Sequence, residues 1–155
     1  MRNVVTNDIE YLHQKSEPVD FSSKNNRSIE CKNILMSAYN SLNGKCMGLS
    51  AIQCKYPYCA ILLRYEKGST PVVVYNPKVL LKIGSKKSNE GCLSENDVRY
   101  IVKRPVLAKV SYQLEDGTKV VEWLPFSKAR IFCHETDHCN GILLQDHGKV
   151  WEENQ

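Results

Sequence analysis

The period of the apolar residues changes several times along the chain, and each change marks an element. From Ser28 to Leu42 the residues Ile29, Ile34, Leu35, Ala38 and Leu42 fall near one face of a 3.6-residue period, which predicts a helix. Ser28 is its expected N-cap and Asn43-Gly44 its expected stop. Tyr58 to Tyr65 is a mostly apolar strand-like run. Val72-Val73-Val74-Tyr75 is β-branched and expected to end at Asn76-Pro77, and Val79 to Ile83 continues as strand before the polar stretch 84–89. The period then drops to two, with Val106, Ala108, Val110 and Tyr112 on one face. Leu114 to Thr118 reads as a hairpin turn and Val120 to Leu124 as the returning strand, closed by Pro125. A second helix is predicted from Ser127 to Cys139, stopped by Asn140-Gly141, although Ala129, Ile131 and Phe132 make no clean apolar stripe. Ahead of these, Asp8 to His13 fits one helical turn and Pro18 forces extended chain. Ile142-Leu143-Leu144 is a last apolar run before a polar tail.

Composition narrows the classes. The 155 residues suit one domain over 1–155, and 42% hydrophobic with 25% charged residues is ordinary for a globular chain. The formal charge of +4 tolerates an anionic partner such as a ribosome surface, but a scattered solvated face is the preferred reading. No basic run exceeds Lys86-Lys87, so a direct nucleic-acid-binding motif is not expected. No apolar run is long enough to span a membrane, and the first residues lack a signal core. Seven cysteines, odd in number and unevenly spaced, point to free or metal-bound thiols in a reducing cytoplasm.

The chemistry concentrates in Cys133-His134-Glu135-Thr136-Asp137-His138-Cys139. On a helix, His134 and His138 stand one turn apart on one face, so both imidazoles can reach one metal ion, and Glu135 beside them can move a proton. Two histidines four apart also arise by chance on solvated helices. A catalytic site of this type needs a third protein ligand and an open position. Cys133 and Cys139 point about 100° away from the histidines. His147, Asp146 and Cys92 stay open as third ligands, with His13 far upstream and isolated. Earlier in the chain, the small residues Gly48, Ser50 and Ala51 precede Gln53, a pattern that fits either close packing or close approach to a ligand.

Three ordered stretches resemble the signature motifs of the peptide deformylase family. Cys46-Met47-Gly48-Leu49-Ser50-Ala51-Ile52-Gln53 resembles the first motif. Glu90-Gly91-Cys92-Leu93-Ser94 matches the second, and His134-Glu135-Thr136-Asp137-His138 the third. Pro18-Val19, Asn76-Pro77 and Arg104-Pro105 fit the stretches between. The resemblance implies an α+β fold, with antiparallel sheets around a central helix that carries the two histidines and the earlier helix packed outside. It implies that Cys92, His134 and His138 bind one divalent metal ion, usually Fe(II), with Zn, Ni or Co as alternatives. Glu135 would act as general base on a metal-bound water, and Gln53 with the Leu93 backbone N–H would hold the oxyanion. Met47, Gly48, Leu49, Gly91 and Arg99 would bind substrate, while Glu90, Arg104 and Asp137 would support the site. The implied reaction removes the formyl group from the N-terminal formyl-methionine of nascent peptides and releases formate. A cytoplasmic setting is expected, in a bacterium or in the bacterial host of a phage.

Several positions depart from the family pattern. Cys46 replaces a glycine, Ser50 an alanine, and Cys133 a frequent glutamine. Glu95-Asn96 stands where a proline is common, and Ser127 and Arg130 stand where apolar pocket residues are frequent, which implies an altered side-chain pocket. The sequence ends soon after Trp151, without the helix through which many bacterial members contact the ribosome, and so is similar to organellar-type or phage-encoded short forms. Two rival readings are a His-Glu-x-x-His endopeptidase, whose third ligand would lie downstream, and a structural zinc site or a relative that binds nascent chains without catalysis.

Overall fold

The computed structural model describes residues 4, 8–95 and 98–150. The expectations for the first residues, for Asn96 and for the tail from Trp151 lie outside the described residues. In chain order the elements are α1 (Ile9–Leu12), α2 (Ser28–Ser41), β1 (Gly48–Ser50), β2 (Ala60–Leu63), β3 (Val72–Ile83), β4 (Lys86–Gly91), β5 (Arg99–Arg104), β6 (Leu107–Gln113), β7 (Lys119–Pro125), α3 (Phe126–Cys139) and β8 (Lys149–Val150). Short 3-10 turns cover Ala51–Cys54, Leu93–Glu95 and Leu144–His147. Five strands form one antiparallel sheet in the order β1-β2-β3-β6-β7, and three form a second in the order β4-β5-β8. This is the α+β architecture expected, with α3 packed against strands of both sheets.

The apolar run of β2 shows how the layers are built. Ala60 and Leu62 join the core under α2, while Ile61 and Leu63 join the core under α3. Helices cover both faces of this strand, so its sequence does not alternate. In α2 the buried face is Cys31, Leu35 and Ala38, at i, i+4 and i+7. Ile29 is 63% exposed, because it lies one residue, about 100°, off the stripe that begins at Ser28. Ser28 is the first helical residue and not the cap. Arg27 holds the cap position without a side-chain bond, and the Ser28 N–H donates to Asn26 Oδ1 at 3.0 Å. The helix stops at Asn43-Gly44, both left-handed, as expected.

Asn76-Pro77 does not end its strand. β3 runs on through it to Ile83, with a register shift between Tyr75 and Lys78 and Asn76 at φ +49°. The Asn76 side chain acts there as a substitute strand partner. It accepts from the Val19 N–H at 2.8 Å and donates to the Val19 carbonyl at 2.8 Å. The polar stretch after Gly84, to which the sequence assigned no element, is strand β4, paired residue for residue with β5. Its alternation is real but polar, because its buried side chains are Ser88 and Glu90.

Helix α3 lacks a stripe because it is buried on most sides. Ala129, Ile131, Phe132, Cys133, Glu135, Thr136, His138 and Cys139 are all buried. Its end depends on Gly141 at φ +73°, where a Cβ would stand 2.3 Å from the His13 carbonyl oxygen. The N-terminal segment thus packs directly on the end of the histidine helix, and the Ser16 N–H donates to the Cys139 carbonyl at 2.9 Å. No helix among the described residues is long and apolar enough to cross a membrane.

Candidate active site

Both sheets end in a free edge near α3: β1 in the larger sheet and β4 in the smaller. A cleft of about 630 Å³ lies between these edges, floored by His134 and Glu135 of α3. Its walls include Met47, Gly48, Gln53, Gly91, Cys92 and Leu93. Leu49 is not on this wall; it is fully buried in the core under α2.

Cys92 follows the last residue of β4 and opens into the turn Leu93–Glu95. One donor atom each from Cys92, His134 and His138 lies within 4.8 Å of the others, and Cys92 Sγ stands 3.4 Å from His138 Nε2. Ligand bonds of about 2.0–2.3 Å at the tetrahedral angle separate donors by roughly 3.5 Å, so this set fits one tetrahedral ion. The other proposed third ligands are engaged elsewhere. Asp146 pairs with His13 at 3.0 Å, so His13 is not isolated, and His147 Nε2 meets Asp137 Oδ2 at 3.0 Å.

A buried ion-pair chain holds these ligands. Arg104, 3% exposed, donates through Nε and Nη2 to the two oxygens of Glu90 at 2.9 and 2.8 Å. Its Nη1 donates to Asp137 Oδ2 at 2.9 Å. Glu90 Oε1 in turn meets His134 Nδ1 at 2.9 Å, which leaves His134 Nε2 for the cleft. Burial opposes ionisation of Glu90, but the bonds from His134 and Arg104 outweigh it and draw its pKa down to about 2. Burial also lowers the His134 pKa, yet the anions of Glu135, Cys92 and Glu90 more than offset it and hold it well above the ordinary value. His138 goes the other way. Burial, with His134 and Arg104 nearby, depresses it well below the ordinary value. Its neutral form is the one that ligates a metal.

Glu135 is 5% exposed and sits against Gly48. A Cβ on Gly48 would lie 2.5 Å from Glu135 Oε2, so this backbone and this carboxylate meet only because residue 48 has no side chain. Ser50 Oγ donates to the Glu135 carbonyl at 2.9 Å and approaches Glu135 Oε1 at 3.2 Å. Burial raises the Glu135 pKa above the usual carboxylate range, against lowering by His134 and Ser50. Gln53 is fixed at both ends. Its Oε1 accepts from the Ser50 N–H at 2.9 Å, and its Nε2 donates to Ser94 Oγ at 3.0 Å while pointing toward Cys92 Sγ at 3.5 Å. Leu93 begins a 3-10 turn, so its N–H has no partner within that turn.

The chain matches the family model for polypeptide deformylase over residues 1–154. It is 30% identical over 146 residues to peptide deformylase 2 of Clostridium acetobutylicum, covering 94% of each chain. The chain belongs to the polypeptide deformylase family. Its fold is similar to that of peptide deformylase from Thermotoga maritima, with a TM-score of 0.81 and 28% identity over 95% of this chain and 97% of that one. It is also similar to a Met-Ala-Ser-bound class I type b peptide deformylase from Acinetobacter baumannii, with a TM-score of 0.82 and 26% identity over 95% and 98% of the two chains. Membership makes this chain a hydrolase of N-terminal formyl groups, in a family whose members are metal-dependent.

Two features of this deformylase were not foreseen from its sequence. Glu95, at a position where proline is common, is buried and accepts from the N–H groups of Leu144 and Gln145 at 3.1 and 3.2 Å. It ties the Cys92 turn to the segment after α3. Arg99, expected near substrate, donates to the side chain and carbonyl of Asn89 at 2.8 and 3.0 Å, and its Nη1 lies 2.9 Å from where a Gly91 Cβ would stand. The signal for Glu95 was an acid where a turn-forming residue was anticipated. For Arg99 the missing signal was the β4–β5 pairing itself.

Proposed function

We propose that Cys92, His134 and His138 hold one divalent ion, Fe(II) natively with Zn, Ni or Co able to substitute, and that Glu135 handles the proton of formyl-methionyl hydrolysis. The observation that carries this is the convergence of three donor atoms within 4.8 Å, beside a buried carboxyl of raised pKa. A thiolate and two imidazoles suit a borderline-soft tetrahedral cation. When bound, such an ion supplies Lewis acidity toward a carbonyl oxygen and acidifies water.

The protein's own groups do the rest. Glu135 takes a proton from the attacking water and returns it to the leaving nitrogen as the formamide C–N bond breaks. A pKa above the ordinary carboxylate range brings this group nearer to the operating pH, which serves both transfers. Charge that develops on the formyl oxygen is met by Gln53 Nε2 and the Leu93 N–H, both held in place before substrate arrives. The edges of β1 and β4, unpaired among the described residues, offer backbone groups to an extended peptide, at Gly48 on one side and Gly91 on the other. Met47 and Ile131 line the cleft with apolar surface suited to a methionine side chain. Products are formate and a free amino terminus. The Met-Ala-Ser tripeptide bound by the Acinetobacter relative has the form of such a product.

A cytoplasmic setting, where nascent formylated chains occur, is consistent with the free thiols of all seven cysteines. The test compares formyl-Met-Ala-Ser with an unblocked longer peptide. Formate release from the first and no cleavage of the second is the expected result. Internal cleavage without formate release would favour an endopeptidase instead.

A further inference from the structure

The cleft mouth carries more positive charge than the chemistry needs. Lys45 on the loop before β1, Arg99 on β5 and Arg130 on α3 all line it, from three separate elements. Among the described residues the side chains of Lys45 and Arg130 make no hydrogen bond or ion pair, and the side-chain partner of Arg99 is the neutral Asn89. Arg64 stands behind the wall, with Nε donating to the Cys46 carbonyl at 3.3 Å. The only carboxylates lining the cleft among the described residues are Glu90 and Glu135. Both are 5% exposed and committed, Glu90 to Arg104 and His134, Glu135 to Ser50. Among the described residues no carboxylate at the mouth offsets the three cations. Arg130 lies one helical turn before His134 on the same face of α3, so its charge is carried to the cleft by the element that positions the ligands.

We propose that this cationic mouth makes the enzyme select formyl-methionyl peptides whose next residues are acidic. The inference rests on the deformylase reading above. Met47 and Ile131 accept the methionine side chain, and Arg130, the charged replacement in that pocket, joins Lys45 and Arg99 along the path of the residues after it. A carboxylate side chain there finds unpaired cations in a cleft whose low-dielectric walls focus the field. A lysine side chain at the same place is repelled.

The experiment measures kcat/KM for formyl-Met-Glu-Ser, formyl-Met-Ala-Ser and formyl-Met-Lys-Ser, all as C-terminal amides so that the side chain is the only variable charge. The expected order is Glu, then Ala, then Lys, with roughly a tenfold spread between Glu and Lys at low ionic strength. At about 1 M salt, where screening acts within about 3 Å, the spread should collapse. Arg130→Gln and, separately, Lys45→Gln should each shrink the Glu-to-Lys ratio by roughly two- to threefold. Lys45 is exposed, so its variant keeps the test available if Arg130→Gln folds poorly. Equal or reversed rates for the Glu and Lys peptides, with good turnover of the Ala peptide, would overturn the inference and leave the deformylase reading intact. No turnover of any formyl peptide would sink both.

Discussion

Replacing Gly48 with alanine isolates the contact between the β1 edge and the Glu135 carboxylate. The added Cβ would lie 2.5 Å from Oε2, 2.8 Å from Cγ and 2.9 Å from Cδ of Glu135, where ordinary contact needs at least 3.4 Å. The carboxylate must therefore retreat by about 1 Å, a displacement that can cost on the order of 100-fold in rate. It has little room to pivot, because the side chain is buried and Ser50 holds both its Oε1 and its backbone carbonyl. The backbone itself tolerates alanine, since Gly48 is not among the residues with positive φ. Overpacking of this kind costs about 1–3 kcal/mol, so the variant should fold with a lowered midpoint. The assay is kcat for formyl-Met-Ala-Ser with metal content measured on the same sample. The expected result is roughly a hundredfold loss of kcat with metal retained. Wild-type kcat would refute the argument that Gly48 sets the position of Glu135. A lost metal would show that the clash breaks the ligand set instead.

Four further outcomes follow from the structure. Ser50→Ala removes a hydroxyl that favours the Glu135 carboxylate, so the Glu135 pKa should rise and the acidic limb of kcat/KM should move to higher pH; a limb that stays put or moves down contradicts this. Arg104→Met leaves Glu90 and Asp137 without their cation and should cost about 3–5 kcal/mol in denaturant unfolding, whereas a loss below about 1 kcal/mol would mean that the ion-pair chain contributes little. In the unaltered protein Glu90 is depressed from 4.5 to about 2, so its contribution, on the order of 3 kcal/mol, is present above pH 4.5 and lost as pH falls toward 2; an acid titration of the unfolding free energy reads it. Gly141→Ala combines φ +73° with a clash on the His13 carbonyl and should lower stability by more than about 1 kcal/mol, measured as a thermal midpoint.

The site was more legible than the fold around it. His134, Glu135 and His138 could be read from helical spacing alone, because a ligand pair on one helix is a local feature. Cys92 could not, since its approach depends on how β4 ends beside α3, and only the family resemblance singled it out. The β4–β5 pair escaped a reading based on apolar alternation because its buried side chains are Ser88, Glu90 and Arg104 beside a single aliphatic, Val102. Asn76-Pro77 looked like a stop because a proline cannot donate to a ladder; the bulge absorbs that defect, and the Asn76 amide binds Val19. Ile29 was placed on the wrong side of α2 by one residue, the error a 3.6 period allows when a stripe is read from few positions. The departures at Ser50 and Glu95 were visible as letters, but their meaning, a hydroxyl on Glu135 and a carboxylate on two backbone N–H groups, exists only in three dimensions.

In the proposed mechanism a metal on Cys92, His134 and His138 and a proton carrier at Glu135 act together on a formyl group. Anaerobic formate release from formyl-Met-Ala-Ser, with metal quantified in the same sample, tests it for the wild-type chain, Cys92→Ser and Glu135→Gln. The expected result is about one divalent metal per active wild-type chain, loss of metal and activity in Cys92→Ser, and retained metal without turnover in Glu135→Gln. Near-full formate release by Glu135→Gln, or unchanged metal content in Cys92→Ser, would contradict it.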